Sequence, residues 1–136
     1  MFVIDTSVWS RALRRRKRSE DETPSAALIR TLVLDNEPIG VPGIVLQELL
    51  SGVRTKKEFE RLRKVLDPFP LLLATEEHHI LAATLYNTCK SNGLNVSPTD
   101  VLVASTAMHC RGALITADSD YRRMSEHIDL VVHLVE

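Results

Sequence analysis

The sequence predicts an α/β fold: a parallel sheet of four to five strands covered by helices and built as one domain over residues 1–136. Three observations carry this. Short apolar runs alternate with longer amphipathic segments along the chain, the pattern of strand and helix units rather than of hairpins. The amphipathic segments open on Pro, Ser or Thr and close near glycines, as helices do. No repeat, low-complexity linker or shift in composition divides the 136 residues, a length at which one core can be buried without disulfides.

Each element follows in order. "FVI" at residues 2–4 is a strand that runs into Asp5. "TSVWSRAL" is a helix on which Trp9 and Leu13 share a face, so Trp9 reads as a packing residue rather than a base-stacking one. "RALRRRKRSEDE" sets Arg11, Arg14, Arg15, Arg16, Lys17 and Arg18 against Glu20, Asp21 and Glu22, and residues 15–23 read as a polar loop. Pro24 starts the helix "SAALIRTLVL", and a strand at 38–41 leads to Pro42, which opens "GIVLQELL" ahead of Gly52. Thr55 with Glu58 forms a capping box for the next helix. A strand at 69–73 precedes Thr75, Glu76 and Glu77, the start of a helix that ends at Gly93. Ser97 and Pro98 open "SPTDVLVASTAM", which ends at Gly112. The strand at 113–116 turns through Asp118 and Asp120 into "YRRMSEHI", and a last strand covers 130–134.

Composition narrows the function. With 17 basic against 18 acidic residues there is no global basic field to draw in nucleic acid, so any such contact would rest on a local patch. No apolar run approaches the roughly 20 residues needed to span a membrane. Cys89 and Cys110 lack a C-x-x-C spacing and no signal-peptide pattern opens the chain, so the expected setting is reducing and cytoplasmic. None of the five His shows H-E-x-x-H or zinc-ribbon spacing, and all read as structural or surface residues.

The chemistry points to carboxylates at strand ends. Asp5 stands where a core strand surfaces, a common address for function in open α/β sheets. Asp100 holds the third helical position after the Ser97 cap, where it could reach back to that cap. Its spacing to Val103, Ala104 and Ala107 instead places it with the core-directed stripe, and its helix offers no Lys or Arg before Arg111. A charge so placed needs a distant basic partner or a bound metal. "ALITADSDY" repeats the opening logic, with Asp118 at a short offset from its strand and Asp120 ranked second; either also suits a turn or helix cap. Glu48 falls opposite the apolar stripe of Val45, Leu46, Leu49, Leu50 and Val53 and on this count alone reads as solvated. Carboxylates converging at strand ends repel unless hard cations sit between them, and Mg²⁺ or Mn²⁺ suits all-oxygen ligands and phosphodiester hydrolysis.

The motifs "VIDTSVW", "VLQELLSG", "SPTDVLVASTA" and "LITADSDY", in this order over essentially the whole chain, resemble those of the PIN-domain ribonucleases, specifically the VapC-type toxins of bacterial toxin–antitoxin pairs. The resemblance implies a PIN-like sheet with helices on both faces. It implies Asp5, Glu48, Asp100 and Asp118 as the catalytic acidic set, with Asp5, Asp100 and Asp118 on the metal and Glu48 as ligand or close support. It places Thr6, Ser7 and Thr116, with Asp120 as the competitor of Asp118, beside that site. It further implies an Mg²⁺- or Mn²⁺-dependent endoribonuclease acting on RNA, usually a homodimer, blocked by a small cognate antitoxin. The charged insert "RRRKRSEDETP" departs from the pattern, and Arg11, Arg14, Arg15 and Arg16 stand as RNA-binding candidates. The rival reading is an Mg²⁺-dependent phosphoaspartyl signalling or phosphatase domain on a similar sheet. A phosphatase of that kind wants Asp two positions after Asp5, and Ser7 stands there.

Overall fold

The computed structural model describes residues 1–14 and 21–135. In chain order these form β1 (Phe2–Ile4), α1 (Thr6–Leu13), α2 (Pro24–Leu34), β2 (Ile39–Pro42), α3 (Gly43–Leu50), α4 (Lys56–Leu66), β3 (Leu71–Leu72), α5 (Glu76–Ser91), α6 (Pro98–His109), β4 (Ala113–Thr116), α7 (Ser119–Met124) and β5 (Val131–Leu134). The strands make one all-parallel sheet in the order β3-β2-β1-β4-β5. The predicted fold class holds. The predicted loop at 15–23 lies mostly outside the described residues.

That order fixes where the helices go. From β1 the chain steps outward through β2 to β3, crosses back to β4, and steps outward the other way to β5. Right-handed crossovers then place α1 to α4 over one face and α5 to α7 over the other. The packing agrees, since α1 lies against α2 and α3, α3 against α4, and α5 against α6. β1 and β4 are adjacent, in register from Phe2 beside Ala113 to Ile4 beside Ile115, and their outgoing connections lead in opposite directions. A crevice therefore opens at their carboxyl ends, where open α/β sheets bind ligands.

The core lies on both faces of these two strands. Val3, Ile4, Leu114 and Ile115 are buried beneath Val8 and Trp9 of α1 and Val103, Ala104 and Ala107 of α6. Trp9 is 1% exposed and meets Phe69 edge-on at 5.2 Å, so it packs, as its spacing from Leu13 predicts.

Several local expectations need correction. β3 is reduced to two residues of the predicted 69–73, because Pro68 and Pro70 carry no N–H for a ladder. Thr55 accepts from Glu58 N at 3.1 Å, but the Glu58 carboxylate turns to the Arg61 guanidinium instead of closing the capping box. Arg61 in turn donates to the Leu13 carbonyl at 3.0 Å, tying the end of α1 to α4. At α5 the box closes through His78: its Nδ1 accepts from Thr75 N at 3.1 Å. At the end of α6 the left-handed residue is Arg111, with φ of 53°, not Gly112. Gly112 is needed for a different reason: a Cβ there would lie 2.5 Å from the Met1 carbonyl oxygen, where β4 starts beside β1.

Candidate active site

Asp5 ends β1, and its backbone N–H bonds the Ile115 carbonyl at 2.9 Å. The backbone stands at the N-cap of α1, yet the carboxylate makes no cap. Its Oδ2 instead accepts from Ser7 Oγ at 2.8 Å and Thr116 Oγ1 at 3.0 Å. Each hydroxyl is used twice. Ser7 Oγ accepts from Ala117 N and Thr116 Oγ1 accepts from Asp118 N, both at 3.0 Å. The seam between β1 and β4 is thus stitched through the carboxylate of Asp5, a residue 7% exposed. Two hydrogen bonds to its ionised oxygen offset the removal from water.

Asp100 and Asp118 arrive from either side. On α6 the cap is Ser97, whose Oγ accepts from Asp100 N at 3.0 Å. The Asp100 carboxylate also feels the Ser97 hydroxyl, which lowers its proton affinity. Its Oδ1 accepts from Tyr121 Oη at 3.3 Å, while the stripe below it, Val103, Ala104 and Ala107, is fully buried. Burial raises the proton affinity of Asp100, hydrogen bonds with Ser97 and Tyr121 oppose this, and the charges of Asp118 and Asp5 raise it further. The three carboxylates therefore share one electrostatic neighbourhood. Asp118 caps α7, with Oδ1 accepting from Asp120 N at 2.9 Å. Asp120 is exposed and its carboxylate pairs with Arg123, as a surface helix pair does.

Glu48 is exposed, in the last turn of α3 and off the buried stripe, as its position in the sequence suggests. It is nevertheless tied in, because Thr6 Oγ1 donates to its Oε1 at 2.8 Å. The structure thus places Thr6, Ser7 and Thr116 among the acidic residues, each with a specific partner. Arg11 and Arg14 are exposed at the far end of α1, about 9 and 13 Å along its axis from Asp5 at 1.5 Å per residue. Arg15 and Arg16 lie outside the described residues.

Sequence reasoning missed Tyr121. It is 1% exposed, and burial followed by the charges of Asp5 and Asp100 pushes its phenol far up, so it remains a donor. A hydroxyl on the buried face of a helix that follows an acidic turn was the available signal.

Among the described residues no three Asp, Glu, His or Cys side chains stand close enough, as placed, to enclose a metal ion. The donor chemistry nonetheless fits a hard cation. Asp5, Asp100 and Asp118 each have one oxygen held by a protein donor, while Asp5 Oδ1 and Asp118 Oδ2 accept nothing among the described residues. An all-oxygen set of this kind suits Mg²⁺ or Mn²⁺.

An open, all-parallel α/β domain with an acidic cluster at the reversal of its strand order is the class of protein these features define. The chain belongs to the PIN-domain family, which it matches over residues 2–127. It is similar in structure to VapBC2 from Rickettsia felis bound to a promoter DNA fragment, with TM-score 0.79 and 18% identity over 99% of this chain and 98% of that one. It is likewise similar to FitAcB from Neisseria gonorrhoeae, with TM-score 0.76 and 21% identity over 97% and 96%. DNA-bound VapBC from Salmonella typhimurium gives TM-score 0.74 and 16% identity over 97% and 96%. No curated protein matches the chain by sequence. No helix among the described residues is long and apolar enough to cross a membrane.

Proposed function

We propose that this chain is the toxin of a toxin–antitoxin pair, an endoribonuclease that uses Mg²⁺ or Mn²⁺ and is blocked by a cognate antitoxin. The observation that carries the proposal is the seam itself. Asp5 occupies a cap position without capping, and Asp100, on another element, feels the charges of both Asp5 and Asp118. Membership of the PIN family supports the nuclease reading, and similarity to VapBC complexes supports the toxin role and the protein partner.

In this reading Asp5, Asp100 and Asp118 hold the cation, as the notably hard donor set suggests. When bound, the cation would stabilise negative charge on a phosphoryl oxygen and make a water more acidic. The remaining work belongs to the chain. Ser7 and Thr116 keep Asp5 Oδ2 engaged and so fix which oxygen faces the crevice. Glu48, held through Oε1 by Thr6, offers its other oxygen to take a proton from the attacking water. Arg11 and Arg14 stand where an RNA strand leaving the crevice along α1 would meet positive charge. Phosphoaspartyl chemistry is less well served, because Ser7 stands where a second Asp would be needed and is committed to holding Asp5.

The test is cleavage of total RNA by the purified chain with Mg²⁺, with Mn²⁺ and with excess EDTA, beside Asp5→Asn. Cleavage that needs Mg²⁺ or Mn²⁺ and falls at least about 100-fold in the variant is expected. Undiminished cleavage in EDTA would refute the metal reading, and restoration by Zn²⁺ alone would point to other ligands. Addition of the cognate antitoxin should abolish activity, and sedimentation of the free chain should show the homodimer that the resemblance implies.

A further inference from the structure

Tyr121 is a fully buried phenol on α7, packed in the same core as Met124. A phenylalanine would fill its volume and bury nearly the same apolar area. The added hydroxyl is unfavourable inside a protein unless it finds a partner. Among the described residues its partner is Oδ1 of Asp100, at 3.3 Å. From the side of α6 itself, Ser97 accepts from the Asp100 backbone N–H at 3.0 Å and also lowers the proton affinity of the carboxylate, so Tyr121 is the donor that holds it from a different helix. The geometry is also economical in sequence. Asp118 caps the helix that carries Tyr121, so a bond from Tyr121 to Asp100 fixes α6 relative to the turn that supplies Asp118.

We propose that Tyr121 is a positioning residue for the cation site: its hydroxyl pins Asp100 Oδ1 toward the core and leaves Oδ2 facing Asp5 and Asp118. This rests on reading the seam as a divalent cation site. The hydroxyl does not touch cation or RNA and acts through Asp100 alone. Removing it frees the carboxylate to rotate, so a bound cation must order a ligand that the wild-type chain presents already ordered.

The test is Mn²⁺ binding by calorimetry, without RNA, to wild type, Tyr121→Phe, Asp100→Asn and the double variant. Tyr121→Phe should bind Mn²⁺ about tenfold more weakly, the lower end of what loss of a ligand's supporting hydrogen bond produces. In the Asp100→Asn background the same change should have no further effect, since the coupling runs through that carboxylate. Cleavage by Tyr121→Phe should recover as Mn²⁺ is raised. Unchanged Mn²⁺ affinity in Tyr121→Phe, or an equal loss in both backgrounds, would overturn the proposal. Absence of Mn²⁺ binding by wild type would instead overturn the cation site, and this inference with it. A second measurement needs no variant: in crystals of wild type soaked in Mn²⁺, Asp100 should bind through Oδ2 with Oδ1 still on Tyr121, and binding through Oδ1 would refute the assignment.

Discussion

Thr116→Val tests whether the seam depends on hydroxyls. Thr116 is fully buried, and its Oγ1 both donates to Asp5 Oδ2 at 3.0 Å and accepts from Asp118 N at 3.0 Å. Valine keeps the shape and removes both bonds. Loss of a hydrogen bond to an ionised carboxylate costs about 1.5–3 kcal/mol, and leaving the Asp118 N–H unpaired adds about 1 kcal/mol. The extra buried methyl returns about 0.8 kcal/mol, which leaves a net loss of about 2–3 kcal/mol. For a chain of this length that is a fall in Tm of roughly 7–12 °C. Urea unfolding in EDTA measures the free energy without any contribution from metal. Thr116→Ser is the control: it keeps the hydroxyl, loses a methyl, and should cost about 1 kcal/mol. If Thr116→Val proves as stable as Thr116→Ser, Asp5 is held by something other than these donors and the account of the seam is wrong.

Other expectations follow from the same contacts. The folded state raises the Asp100 pKa, so the associated stability is present below the ordinary carboxylate range and is lost as pH rises through the raised folded value. Asp100→Asn should therefore leave the metal-free protein at least as stable at pH 7.5 by urea unfolding, while Mn²⁺ affinity falls; a loss above about 1 kcal/mol would indicate a helix cap instead. His78 is shifted the other way, chiefly by burial and then by His109 and His79, with Glu77 opposing. Its stability contribution is present above the usual imidazole value of 6.5 and is lost as pH falls through the lowered folded value, when Nδ1 can no longer accept from Thr75. His78→Gln keeps an acceptor at this cap position without titrating, so melting curves between pH 7.5 and 5 should lose that step; an unchanged pH profile would remove His78 from the account. Gly112→Ala forces a Cβ toward the Met1 carbonyl and should cost about 1–3 kcal/mol. A gain in stability, usual where glycine gives way to alanine without strain, would show that the strands separate easily.

The parts of this structure that depend on neighbours in sequence were legible. β1 and β4 fall at 2–4 and 113–116 as predicted, because each is a short apolar run broken abruptly by a polar residue. The α6 stripe gave away that Asp100 would be half-buried. Long-range partners were not legible. Nothing near Glu48 announces Thr6, and nothing near Asp100 announces Tyr121, since each pair meets only after the sheet brings separate helices together. Strand order is hidden for the same reason: parallel strands joined by helices carry no mark of which neighbour they will pair with. At α4 Thr55 caps as expected but the box stays open, because Glu58 had two competing donors, and a guanidinium won over a backbone amide.

Finally, the middle strand of the sheet is the first to be synthesised, and one of its two neighbours is among the last. Everything that orients the Asp5 carboxylate beyond its own turn comes from residues 115–117. A growing chain therefore presents Asp5 and Glu48 long before it can arrange them, Asp100 follows only shortly ahead of β4, and closing so distant a contact is a slow, late event in folding. Translation that stops short of β4, or a cut that removes it, leaves the first three carboxylates in place on a chain whose crevice cannot form.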